Sequence, residues 1–225
     1  MPAAIQKPSS RIAYARVSSG AAPAPRAPQL SRMNSLLIAF LVALSLLAVA
    51  YWVRLPSLVG AAFYLFFAVE SDLRTSRIPN WLNGSALLGA LTLSFALGGG
   101  NGLVAAGLGA TTALVPAILL YSTGLLGAGD AKGIAVLGAL YGPLEVPGLY
   151  LWMILSGAIL SIGLLVVRGE LREFLERWGD MAKPLLFSGR LVYAKPEAGS
   201  AAAGGIPFAM CMALGSLAQP IWGWP

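Results

Sequence analysis

The sequence predicts an all-α, polytopic helical membrane protein with about six to seven transmembrane helices, and three observations carry that expectation. Hydrophobic residues make up 57% of the 225 residues, charged residues only 11%, and the mean hydropathy is +0.76. A soluble domain needs far more polar surface than this. Apolar runs approaching the roughly 20 residues that a bilayer requires recur along the whole chain. Lysine and arginine are also placed so that one side of a membrane receives nearly all of them.

The first element is a basic tail, residues 1–32, rich in Ala, Pro, Ser and Arg and without a single acid. Such a composition cannot bury enough apolar surface to fold, so the tail reads as disordered. A targeting peptide, or a true start at Met33, is the other reading of it. The run at about 34–53 is too long for the 7–15-residue core of a signal peptide, so residues 33–54 read as a retained extra N-terminal anchor. Further runs lie at about 56–71, 81–98, 103–122, 147–167 and 203–222. A seventh, from Asp130 to about Leu149, is interrupted by Pro143 and Glu145. Between Lys132 and Pro143 only about 18 Å of helix is available at 1.5 Å per residue. Either that helix continues through Pro143 or its start lies below the membrane surface. "GGGNGLVAAGLG", Gly98 to Gly109, supplies a turn and small residues that let helices approach closely.

With all seven runs spanning and the N-terminus cytoplasmic, every one of the fifteen basic residues except Arg54 falls inside. The net charge of +6 is explained in this way by topology, without nucleic acid as a partner. The loop 168–202 is cytoplasmic on this reading. It opens with Leu171, Phe174, Leu175 and Trp178 at helical spacing among charges, the pattern of a helix lying in the membrane interface.

The chain contains no histidine and one cysteine, Cys211. Histidine triads, histidine-ligated metals and CxxC sites are therefore excluded, and no zinc or other metal is expected. Carboxylates, lysines and hydroxyls remain as catalytic groups. A carboxylate inside a membrane costs a few kcal/mol on insertion scales, so its presence asks for a function. Glu145, in "GPLEVPG", reads as a solvated loop residue. Glu70 and Asp72 are two residues apart and point to opposite faces of a helix, so only one can face inward. Asp72 is preferred because "SDLRTSRIPN" follows it. Pro79 suits a helix start but not a helix interior, so Ile78, Pro79 and Asn80 mark a boundary just beyond Asp72.

The second motif is "GAGDAK", Gly127 to Lys132. Gly127 and Gly129 leave the backbone beside Asp130 without side chains, open to water and to an extended peptide. Lys132 reads as a marker of the cytoplasmic boundary, with a counter-charge role as the alternative. If Asp72 and Asp130 meet at one depth they share a single proton. One carboxylate then takes a proton from water while the other polarises a scissile carbonyl.

At these residues the sequence resembles the prepilin peptidases, GxGD-type membrane aspartic proteases, and the compact tight-adherence (Flp) pilus type most of all. "DLRTSRIPN" is similar to that family's first aspartate segment, "GAGDAK" to its second, and "GGIPFAMCMALG" to its C-terminal segment. The resemblance covers about residues 55–222, within a prepilin-peptidase-like membrane domain expected at 55–225. It implies catalytic roles for Asp72 and Asp130, with Gly127, Gly129, Lys132, Ile78, Pro79 and Asn80 in support. It also implies cleavage of the basic leader of pilin-like precursors at the cytoplasmic face of a bacterial inner membrane, next to the pilus assembly machinery. No cofactor is implied. Without a cysteine-rich insertion, no N-methyltransferase activity is expected. Gly133 departs from the leucine common in the family, and the extra first span is a second departure. Two other function classes remain at this stage: a transporter or ion relay using the aspartate pair, and an inactive scaffold of a secretion apparatus.

Overall fold

A computed structural model describes residues 31–53, 56–176, 178–179 and 207–222. The tail to residue 30, most of the loop 168–202 and Gly204 to Ile206 of the C-terminal motif lie outside the described residues. Among those described, the architecture is all helical. Helix α1 spans Arg32–Val53, α2 Pro56–Thr75, α3 Asn80–Ser122, α4 Ala128–Tyr141 and α5 Val146–Arg168. Residues 171–176 are also helical, and α6 spans Phe208–Trp222.

Four helices, α1, α2, α3 and α5, are long and apolar enough to cross a membrane. The outward faces show why lipid is their solvent. Leu37, Phe40, Leu41 and Leu44 of α1 and Ile154, Ile159, Ile162 and Val166 of α5 are all exposed. Helices that are apolar all round belong in hydrocarbon.

Helix α3 has 43 residues and would reach about 65 Å if straight. It does not run straight. Gly99 takes φ 57° and ψ −143°, a conformation open to glycine and strained for other residues. Beyond it the chain doubles back, so that Gly102 abuts the carbonyl of Ser94. Ala90 and Ala106 then pack in one cluster with Ala139 of α4. The two runs expected at about 81–98 and 103–122 are thus the arms of a helical hairpin, turned where the glycine-rich segment predicts a turn.

The second arm packs against α4 through small residues. Gly109 faces the backbone carbonyl of Gly138, and Gly138 faces Gly109 and the methyl group of Ala113. No Cβ fits on either glycine, so backbone meets backbone, as membrane helices do where small residues coincide.

Helix α4 settles the choice left open for the run after Asp130. It stops at Tyr141, and Gly142 turns the chain at φ 87°. Its 14 residues cover about 21 Å, short of the ~30 Å hydrocarbon thickness. Glu145 differs from the expected solvated loop residue. Its carboxylate and its carbonyl both accept from Gln219 Nε2, at 2.8 and 3.1 Å, tying the start of α5 to the buried Gln219 of α6. In the 168–202 loop, Leu175 and Trp178 are exposed beside the ring of Phe174, the arrangement that suits an interfacial helix.

Candidate active site

The site lies where α2 ends and α4 and α6 begin. In α2 the buried positions Leu58, Ala61, Ala62, Leu65, Ala68, Val69 and Asp72 recur every three to four residues, so Asp72 continues the core stripe of its helix. Asp72 is only 7% exposed. Glu70 falls on another face and pairs with Arg74 at 2.9 Å. Two residues of spacing separate their roles, as helical geometry requires.

A buried carboxylate must find donors, and those of Asp72 come from α6. The backbone N–H of Ala209 donates to Asp72 Oδ2 at 2.9 Å, and that of Phe208 is directed at the same carboxylate. The first N–H groups of a helix have no partner within it, so Asp72 caps α6 from 137 residues away. Pro207 stands just before the helix and has no N–H of its own to satisfy.

Asp130 occupies the first turn of α4. Its carboxylate folds back toward Gly127, whose N–H is directed at it. A Cβ on Gly127 would stand 2.7 Å from Asp130 Oδ2. This is half of a capping box, with the acid three residues into the helix reaching the N-cap backbone. The first glycine of the motif thus clears space for the aspartate itself. The second has another purpose: a Cβ on Gly129 would meet the carbonyl oxygen of Ile78 at 3.0 Å. The two motif segments therefore touch backbone to backbone.

Side chains join the segments further. Lys132 Nζ donates to Asn80 Oδ1 at 2.7 Å, so this lysine bonds the other motif as well as carrying charge. Pro79 is the N-cap of α3, as expected of a proline at a helix start. Ile78 is buried and anchors the turn. Ser71 and Thr75 both donate to the Arg77 carbonyl, closing the turn, while Ser76 takes a positive φ of 51°.

Two residues that sequence reasoning did not single out complete the site. Asn83 Nδ2 donates to the carbonyl of Gly129 at 2.9 Å, and its Oδ1 accepts from the Tyr64 hydroxyl at 2.8 Å. Tyr64 stands within electrostatic reach of both Asp72 and Asp130, and the two carboxylates are within reach of each other. Spacing offered a signal for Asn83, one turn beyond Asn80 on the face turned toward α4. For Tyr64 there was none, because its partner is 19 residues away.

Among the described residues no cluster of three or more histidine, cysteine or acidic side chains is able to hold a metal ion. The arrangement thus offers two carboxylates at one end of the bundle, Asp72 buried and Asp130 half-buried, each with backbone N–H groups directed at it from the N-terminus of a helix. Such a pair has the parts for general acid–base chemistry on a bound water.

No curated protein and no solved structure gives a significant match to this chain. A family model described as the type IV leader peptidase family matches residues 58–162, a range that contains Asp72, Asp130 and the turn joining α2 to α3 but ends before α6. With both motif segments in place inside the matched range, this part of the chain is similar to the type IV leader peptidase family, the prepilin peptidases that its motifs resemble.

Proposed function

We propose that the chain is a prepilin leader peptidase, an aspartic endopeptidase that removes the basic leader of type IV or Flp pilin-like precursors at the cytoplasmic face of the inner membrane. The observation that supports this reading is the placement of the two motif aspartates at one end of the bundle, Asp72 on the core face of α2 and Asp130 in the first turn of α4, within electrostatic reach of each other. One carboxylate takes a proton from water, and the resulting hydroxide attacks the scissile carbonyl carbon. The other, protonated, donates to the carbonyl oxygen. When the tetrahedral intermediate collapses, the C–N bond breaks and the departing amine receives a proton from the pair.

A short α4 supports access for water and an extended peptide, since its 14 residues leave part of the bilayer depth unspanned by that helix. Orientation rests on charge. Arg74, Arg77 and Lys132 lie at the site end, and lysine and arginine are retained on the cytoplasmic side. With one cysteine in the sequence, the chain lacks the cysteine-rich insertion of the methylating enzymes, so peptidase activity without N-methyltransferase activity is proposed. No cofactor takes part.

The test is co-expression with a pilin-like precursor, following its size shift. The wild-type chain is expected to convert the precursor, and Asp72→Asn and Asp130→Asn each to abolish conversion while inserting normally. Conversion by either variant at the wild-type rate overturns the proposal and leaves that aspartate as a helix cap.

A further inference from the structure

We propose that Tyr64 and Asn83 are positioning residues for Asp130, a hydrogen-bonded strut from α2 through α3 that holds the first turn of α4 in register with Asp72. The inference rests on the peptidase reading and adds two residues to it. Four observations carry it.

The strut is continuous: the Tyr64 hydroxyl donates to Asn83 Oδ1, and Asn83 Nδ2 donates to the carbonyl of Gly129, the residue before Asp130. Its side chains are buried, with Tyr64 3% and Asn83 3% exposed, so the bond between them is shielded from water and losing either partner leaves a buried polar group unsatisfied. It fixes an otherwise ambiguous amide. The Gly129 carbonyl only accepts, so Asn83 turns Nδ2 toward it and leaves Oδ1 to take the proton of the Tyr64 hydroxyl.

The fourth observation is steric. A Cβ on Gly133 would stand 2.5 Å from the Tyr64 hydroxyl, so the glycine after the motif lysine is the space into which the phenol reaches. Gly133 and Tyr64 thus form a matched pair, which accounts for a glycine at this position. Along its remaining length Tyr64 lines an apolar groove of about 710 Å³ between α2 and the first arm of α3. Replacing it with phenylalanine keeps that lining and removes only the hydroxyl.

Asp72 needs no such help, because α6 supplies its donors directly. Asp130 is different: the N–H directed at it is that of Gly127 in its own turn, which does not fix the turn relative to α2. The strut provides that reference. A proton-transfer pair loses rate steeply when its geometry loosens, while substrate affinity, set elsewhere, does not.

The experiment compares wild type, Tyr64→Phe, Asn83→Ala, Gly133→Leu and Gly133→Leu/Tyr64→Ala, purified in detergent. Precursor cleavage yields kcat and KM, and hydrogen exchange reports on residues 127–133. For Tyr64→Phe and Asn83→Ala we expect kcat about tenfold lower with KM unchanged, together with faster exchange in the first turn of α4. Gly133→Leu is expected to be inactive, with partial recovery when Tyr64→Ala frees the space. Wild-type kcat and wild-type exchange in Tyr64→Phe overturn the strut, as does a rise in KM with kcat unchanged. Should the wild-type protein fail to cleave, the peptidase reading falls, and the exchange comparison still decides whether Tyr64 and Asn83 hold the turn.

Discussion

At the scale of single residues, the site is made of carboxylates placed against backbone. Gly127 is the sharpest case, since any side chain there intrudes on Asp130 Oδ2 at 2.7 Å. Gly127→Ala is expected to lower the cleavage rate at least about tenfold, through a displaced carboxylate, while leaving insertion intact; a precursor-conversion time course in membranes measures this. Lys132 is a milder case. Its bond to Asn80 is exposed, and such a bond contributes about 0.5–1.5 kcal/mol. Asn80→Ala is therefore expected to cost only a few-fold in rate and a small fall in melting temperature, both readable on the purified protein. The aspartates and their glycines were legible in the sequence because acids are costly in apolar segments and small residues beside them are conspicuous. The donors of Asp72 were not. They are backbone N–H groups, which any residue except proline supplies, and no pattern of side chains announces them.

At the scale of elements, helix boundaries followed from glycine and proline chemistry. Pro79 opens α3, Gly99 turns it and Gly142 ends α4. The runs were legible as hydrophobic lengths, and the glycine-rich segment as a turn. Less legible was the length of α4, because "GIAVLGALYGPLEVPGLYLW" stays apolar across the point where Gly142 leaves the helical region. The role of Glu145 was also hidden: hydropathy marks it as a loop acid, while its partner Gln219 lies 74 residues on. The crossing of α3 and α4 makes its own prediction. Gly138→Leu drives a side chain into the Gly109 carbonyl and Ala113. Overpacking of this kind costs typically 1–3 kcal/mol or more, so a clear drop in melting temperature in detergent is expected. Gly163→Leu, where nothing stands within 4 Å of the added Cβ, is expected to melt like wild type.

At the scale of the whole molecule, composition alone was enough to place the chain in lipid, and the order of the helices matches the order of the apolar runs. What composition does not carry is which helices meet, because lipid-facing and protein-facing surfaces are equally apolar here. Charge supplies the remaining axis. The basic residues Arg74, Arg77 and Lys132 gather at the end that bears the aspartates, so that end is expected to face the cytoplasm. Single cysteines at Ser76 and at Leu144, in a Cys211→Ser background, test this by labelling with a membrane-impermeant thiol reagent on intact spheroplasts. Modification is expected at position 144 and not at 76, and the reverse pattern inverts the topology.

The cap that Asp72 places on α6 has a practical consequence for trapping a precursor on the proposed peptidase. An inactive variant is useful as a trap only if the rest of the fold is undisturbed, and the two aspartates are unequal in that respect. Changing Asp72 to asparagine leaves one oxygen for the two N–H groups of Ala209 and Phe208, so the chain still inserts but the joint between distant parts of it is weakened. At Asp130 the substitution leaves an amide oxygen facing the Gly127 N–H within a single turn. Asp130→Asn is accordingly the variant to take forward for a precursor complex.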